Sequence, residues 1–213
     1  MSIGIEVREL TKRFSRYPAF TPVTFTIEPS TVFAVVGVNG AGKSTLLKIL
    51  AGVLAPTKGS IQYRDNSTQL KREEIETRSA LVAPYLELYP ELTAIEHLRF
   101  VADLRGKTHS DSVYKELLLH LGLKEEALSS TRYLSGFSSG MRQRVKIAMA
   151  LTAEPDLLFL DEPTSNLDAD GIAVVEEQIR KVVSRGTTVI LATNEERERK
   201  LATSEIMLTP YQQ

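Results

Sequence analysis

The run Gly37-Val38-Asn39-Gly40-Ala41-Gly42-Lys43-Ser44-Thr45 constrains this chain more than any other stretch. It follows Val32-Phe33-Ala34-Val35-Val36, an unbroken apolar run that reads as a fully buried strand. It leads into Leu46-Leu47-Lys48-Ile49-Leu50-Ala51, which reads as a helix with one apolar face. The pattern is G-x-x-x-x-G-K-[ST] in a strand–loop–helix setting. Its glycines let the backbone bend so that several N–H groups face one concavity. The following helix start adds free donors and the positive end of its dipole. Such a loop takes phosphates. Lys43 is placed to reach the β- and γ-phosphates of a nucleoside triphosphate, and the Ser44 hydroxyl to ligate Mg²⁺.

A second run, Leu157-Leu158-Phe159-Leu160, ends in Asp161-Glu162. Two carboxylates closing a buried strand cost desolvation unless a cation or donors meet them. Asp161 reads as the carboxylate that orients Mg²⁺ through its water shell. Glu162, one residue past the strand, reads as the group facing the water that attacks the γ-phosphate. An exposed acidic turn is the bland alternative for such a pair taken alone.

The rest of the chain alternates strands and helices, which predicts a mainly parallel, doubly wound sheet. Residues 3–10 and Val23–Glu28 alternate apolar and polar side chains and predict a small antiparallel sheet at the N-terminus. Phe14 lies between them in Lys12-Arg13-Phe14, where its ring could stack on an adenine or simply pack. Residues 65–78 are polar and read as a surface excursion. Thr93-Ala94-Ile95-Glu96 is a capping-box pattern opening a helix through about Leu104. A second helix, Asp111 to Leu121, carries Val113, Leu117, Leu118 and Leu121 as its expected apolar stripe. A third spans Met141–Leu151, with Val145, Ala148 and Met149 inward and Arg142, Arg144 and Lys146 outward. Together they predict a helical subdomain, about 94–150, inserted in the α/β core of a single 213-residue domain. His97, His109 and His120 have no ligand spacing and are expected on helix surfaces. The net charge of −1 gives no reason to expect nucleic acid, and the absence of cysteine suits a reducing compartment. No run approaches the roughly 18 apolar residues of a membrane span.

Phe137-Ser138-Ser139-Gly140-Met141, then Leu157–Glu162, then Ser165-Asn166-Leu167-Asp168, in this order after the phosphate loop, resemble the ATP-binding-cassette ATPases. The first stretch is similar to the family's signature, the second to its Walker B strand with catalytic Glu, the third to its D-loop. The similarity runs from about Ile5 to Leu208, and it is strongest to small single-cassette subunits paired with separate membrane subunits, including the haem-exporter type. The resemblance implies a P-loop NTPase core with a mainly parallel sheet, and ATP and Mg²⁺ as cofactors. It implies a homodimer formed on ATP binding, each nucleotide touching the phosphate loop of one copy and the signature of the other. A polytopic membrane subunit would be the second partner, holding the protein at the inner, cytoplasmic face of the membrane. Ser138–Gly140 taken alone would serve equally as a helix N-cap. Phe14 falls at the position of the family's adenine-stacking aromatic.

Four positions depart from the family pattern. Ser139 stands at a glycine-type position of the signature and Met141 at its fifth position. Pro84 stands where the family carries the Q-loop Gln, next to Tyr85. Asn194 stands at the switch position that usually holds His. Asn194 can contact the γ-phosphate as a neutral donor, or cap the helix that begins at Glu195. Three functions therefore stay open: a transporter ATPase using Glu162, Lys43 and Asn194; a slow cassette acting as an ATP-dependent binding module; and a soluble, non-transport cassette protein.

Overall fold

The computed structural model describes residues 2–66 and 68–210. In chain order it holds β1 (Ile3–Thr11), β2 (Arg13–Phe14), β3 (Tyr17–Pro18), β4 (Val23–Ile27), β5 (Val32–Val36), α1 (Lys43–Leu50), β6 (Lys58–Asp65), β7 (Thr68–Leu70), α2 (Arg72–Arg78) and β8 (Ser79–Val82). There follow α3 (Ala94–Leu104), α4 (Asp111–His120), α5 (Ser139–Thr152), β9 (Leu157–Asp161), α6 (Ala169–Ser184), β10 (Thr188–Thr193), α7 (Glu196–Arg199) and β11 (Ser204–Met207). Backbone contacts divide the chain into two units. One comprises Met1–Leu81, Asp156–Glu162 and Ile179–Gln213; the other comprises Val82–Pro155 and Pro163–Gln178.

In the first unit β10 lies parallel between β5 and β9, with Ile190 in register with Phe33 on one side and Phe159 on the other. β11 pairs parallel to the far edge of β5. β5, β9 and β10 are buried at every position, as apolar runs without alternation require when both sheet faces are covered. Helix α1 packs on β9 and β10 and buries Leu46, Leu47, Ile49 and Leu50. An antiparallel sheet, ordered β4-β1-β6-β7, lies in the same unit. On β1 the expected alternation holds: Ile3, Ile5 and Val7 are buried and join the core that also takes Phe33, Leu46 and Phe159.

The polar stretch 65–78 is largely exposed, as expected of a surface excursion, and it carries regular structure in β7 and α2. Leu70 and Ile75 are buried, and a single apolar residue in each short element is enough to seat it. Lys71 N donates to Glu74 Oε2, closing the first turn of α2. At the far end Arg78 joins Asp65 of β6 (2.8 Å) to Asp156 just before β9 (2.6 Å).

The second unit holds α3, α4 and α5, each packed on the other two. The capping box is present: Thr93 Oγ1 accepts from Glu96 N, and Glu96 Oε2 accepts from Thr93 N at 2.8 Å. On α4 the buried face is Tyr114 and Leu118, continued by Leu121, while the expected Val113 is exposed. Tyr114, Leu118 and Leu121 keep the spacing i, i+4, i+7, and the expected Leu117 at the margin of that face is only half-buried. On α5 Ile147 and Ala150 are buried with Val145 and Ala148, and Met149 only partly. His97 is not on the surface. It is 2% exposed, its ring tilted on Tyr89 at 5.6 Å, and among the described residues neither ring nitrogen meets a partner on another residue. Among the described residues no helix is long and apolar enough to cross a membrane.

Candidate functional site

The phosphate loop runs from the end of β5 into α1, and its glycines are required by contact as well as conformation. Gly42 has φ +94°, and a Cβ there would lie 2.6 Å from the Ala19 carbonyl oxygen. Gly37 faces the carbonyl of Leu208 at a hypothetical 2.5 Å. Both approaches hold neighbouring backbone against the loop and forbid a side chain. Lys43, the first residue of α1, is 6% exposed, and its Nζ donates to Gly37 O (2.8 Å) and Val38 O (3.3 Å). The ammonium therefore lies over the concavity formed by residues 37–42.

Ser44 follows, and its side chain lies close enough to the Asp161 carboxylate at the end of β9 to favour that carboxylate's charged form. Asp161 is 3% exposed. Burial pushes its pKa above the usual carboxylate range, and the neighbouring Glu162 charge adds to that. The Ser44 hydroxyl and the charges of Lys43 and Lys48 oppose it. A carboxylate buried in this way is one that a cation would relieve, so Ser44 would suit direct ligation of a divalent ion and Asp161 its orientation through bound water. Glu162 sits one residue beyond the strand with φ +49°, a left-handed conformation that a non-glycine residue adopts at a cost. Its N–H donates to Ala192 O of β10 at 3.0 Å, which fixes the turn and leaves the side chain half-buried.

Asn194 follows β10 directly. Its Nδ2 donates to Asn39 Oδ1 of the phosphate loop at 3.2 Å. The N-cap of α7 is Glu195, so Asn194 does not cap that helix. In β2 Phe14 is 52% exposed, and Lys12 Nζ stands over its ring, 5.4 Å from the centroid. The first unit thus holds two groups around the phosphate loop: Lys43 and Ser44 near Asp161, and Asn39 bonded to Asn194. Lys12 and the side chain of Asn39 escaped the sequence reading. Lys12 stands two residues before Phe14, the one signal that pointed to it.

The second unit carries the signature and D-loop stretches. Phe137 is 3% exposed and anchors the approach to α5. Ser138 is the N-cap, its Oγ accepting from Met141 N at 3.2 Å, while Ser138 and Ser139 face solvent. A Cβ on Gly140 would lie 2.7 Å from Asn166 O, so the D-loop backbone rests directly on the start of α5. Asn166 itself has φ +64°. Asp168 Oδ1 accepts from Gly171 N (3.0 Å), opening α6, and from Arg144 (2.6 Å); Ser165 and Leu167 are half-buried. Arg144 was expected to point outward, and this pairing turns it inward. Gln143 Nε2 donates to Pro163 O at 2.9 Å from a buried position. Pro84 and Tyr85 are exposed, and Lys146 Nζ donates to the carbonyls of Ala83 and Pro84.

A family model described as ABC transporter matches residues 20–165. The chain belongs to the ABC transporter family. An uncharacterized ABC transporter ATP-binding protein of Bacillus subtilis (strain 168), YybJ, is 34% identical over 191 residues, covering 89% of this chain and 85% of that protein. The solved structure of an ATP-binding subunit of an ABC transporter superposes with a TM-score of 0.79 at 31% identity, over 96% of this chain and 85% of that one. A dimeric ATP-binding cassette in a post-hydrolysis state, bound to ADP and Pi, superposes with a TM-score of 0.83 over 96% of this chain and 94% of that one. At 23% identity this last likeness speaks for the fold. The fold of the present chain is that of an ABC ATP-binding cassette: a P-loop core with a parallel sheet and an antiparallel strand subdomain.

Proposed function

We infer that this cassette binds Mg-ATP and hydrolyses it as the motor subunit of a membrane ABC transporter. The observation that carries the reading is the Lys43–Ser44–Asp161 set, in which a buried carboxylate lies beside the Ser44 hydroxyl and within reach of the charge of the phosphate-loop lysine. In this reading the backbone of residues 37–45 cradles the phosphates and Lys43 neutralises the β- and γ-oxygens. Ser44 would ligate Mg²⁺ and Asp161 would orient it through its water shell, and the ion would supply charge neutralisation at the transferred phosphoryl group. Glu162 accepts a proton from the attacking water, and Asn194 donates to a γ-phosphate oxygen. Phe14 stacks on the adenine.

Two copies associate around two nucleotides, with Ser138, Ser139, Gly140 and Met141 of one copy facing the γ-phosphate held by the other. Phe137 supports that stretch from below, and the D-loop, Ser165–Asp168, supports it through Gly140. The helical subdomain of about 94–150 receives a separate polytopic membrane subunit, which places the cassette at the inner, cytoplasmic face of the membrane. The relatives' names support transport: YybJ is called an ABC transporter ATP-binding protein. Pro84 and Asn194 favour a second reading for the rate alone, a cassette that turns over slowly.

The test is steady-state ATPase activity of the purified chain beside its Glu162→Gln variant, with size exclusion in Mg-ATP. Glu162→Gln should lose turnover by at least about a hundredfold, as loss of a general base does, and should elute as a dimer. Measurable Mg-ATP turnover that Glu162→Gln leaves unchanged would remove Glu162 from the chemistry.

A further inference from the structure

The hairpin β2–β3 is closed across its base and tied to the segment around Thr57, which is itself bonded to the end of β1. Ala19 N donates to Lys12 O (2.7 Å), Arg13 N to Thr57 Oγ1 (3.0 Å) and Thr57 N to Thr11 O (2.8 Å). Its outgoing end meets the phosphate loop, since Ala19 O occupies the space a Cβ on Gly42 would need. The Phe14 ring is thereby held at a set distance from the phosphate cradle.

An exposed phenyl ring has two faces that a base could stack on. Lys12 Nζ stands over the Phe14 ring at 5.4 Å from the centroid, and it is held there by donating to Ala55 O at 2.8 Å. A cation over a ring is drawn to the negative face of its quadrupole and displaces water from that face. Ala55 belongs to the segment that also supplies Thr57, so the anchor of the lysine and the anchor of the hairpin are one piece of backbone.

We propose that Lys12 is a positioning residue for the nucleobase: its ammonium closes one face of Phe14 and leaves the opposite face as the single stacking surface for adenine. The inference rests on the reading of Phe14 as the base-stacking residue. Lys12 acts through the ring. Its ammonium is engaged with Ala55 O and with Phe14, so its contribution belongs to the base and not to the phosphates. It should therefore be the same for ATP and ADP and absent for a ligand with no base.

Calorimetric titration of ATP, ADP and inorganic tripolyphosphate against the full chain and its Phe14→Ala, Lys12→Gln and Lys12→Arg variants tests this. Phe14→Ala should weaken ATP and ADP about five- to thirtyfold and leave tripolyphosphate unchanged, the range of a lost base–aromatic stack. Lys12→Gln keeps a donor for Ala55 O but loses the charge, and it should weaken both nucleotides about two- to fivefold with tripolyphosphate again unchanged. Lys12→Arg, a cation that also sits over rings, should restore affinity. Normal nucleotide binding by Lys12→Gln, beside a weakened Phe14→Ala, overturns the role of Lys12 and leaves that of Phe14 standing. Unchanged binding by Phe14→Ala overturns both. Equal weakening of tripolyphosphate by Lys12→Gln makes the lysine a phosphate contact and also overturns the proposal.

Discussion

Asn194 Nδ2 and Asn39 Oδ1 meet at 3.2 Å, joining the residue after β10 to the middle of the phosphate loop. Neither side chain carries charge, so the link does not change with pH in the way a histidine at this position would. A nucleotide whose γ-phosphate approaches this loop offers Asn194 a charged acceptor in place of a neutral one, and hydrogen bonds to charged acceptors are the stronger kind.

Asn194→Ala is expected to slow turnover roughly ten- to hundredfold, the worth of one hydrogen bond to a charged group. ADP binding should be retained. Because Glu195 and not Asn194 occupies the N-cap of α7, the melting temperature should barely move. Asn194→Asp should be worse than Ala, since an acceptor-only carboxylate would face the phosphate. Asn194→His should hold or raise the rate. Turnover indifferent to all three substitutions, measured as kcat beside melting temperature, would leave Asn194 outside the reaction.

Lys43→Ala removes the only ammonium that donates to the carbonyls of Gly37 and Val38 among the described residues. Nucleotide affinity should fall by about 2–5 kcal/mol, as for truncating one member of a desolvated charge pair. Titration with a fluorescent ATP analogue reads this directly, and an unchanged dissociation constant would take Lys43 out of the site.

Asp161 gives a prediction about pH. Its pKa is raised in the folded chain, so between the unfolded carboxylate value and the folded one the native state binds more protons than the unfolded state. Stability from this group is then greatest at acid pH and falls as pH rises through that window. Asp161→Asn should therefore melt higher than the parent near pH 7 in Mg-free buffer, with the difference closing as pH falls toward 4. A shift of about 2–4 °C would correspond to 1 kcal/mol in a chain of this size. The same variant should lose Mg-dependent nucleotide binding.

His97 has the opposite sign. Burial lowers its pKa, so below the ordinary histidine value the unfolded chain takes up the proton that the folded ring resists. Its contribution is complete above about pH 6.5 and is lost as pH falls below it. His97→Leu, a filling of similar size without polar nitrogens, should match or exceed the parent at pH 7 and lead it clearly at pH 5.5. Thermal melts at the two pH values check this, and an equal loss on acidification in both proteins would remove His97 as the cause.

What the sequence determined by itself is the chemistry that fits within a few consecutive residues. The phosphate loop is legible because glycine conformation, helix start and lysine reach all act over residues 37–45. The strands β5, β9 and β10 are legible because burial on both faces leaves no alternation, and the Thr93–Glu96 box because its two hydrogen bonds span one turn. Relations across the chain were decided by the tertiary structure alone. Asn39 and Asn194 are 155 residues apart, Lys12 and Ala55 are 43 apart, and Arg78 finds Asp156 at a separation of 78. A side chain's type says which partner it accepts, but which partner arrives depends on packing of elements distant in sequence. The same reason buries Tyr114 in place of Val113, seats α2 through Ile75, and takes His97 out of water. Periodicity offers a helix more than one face, and only the neighbours that cover it choose among them.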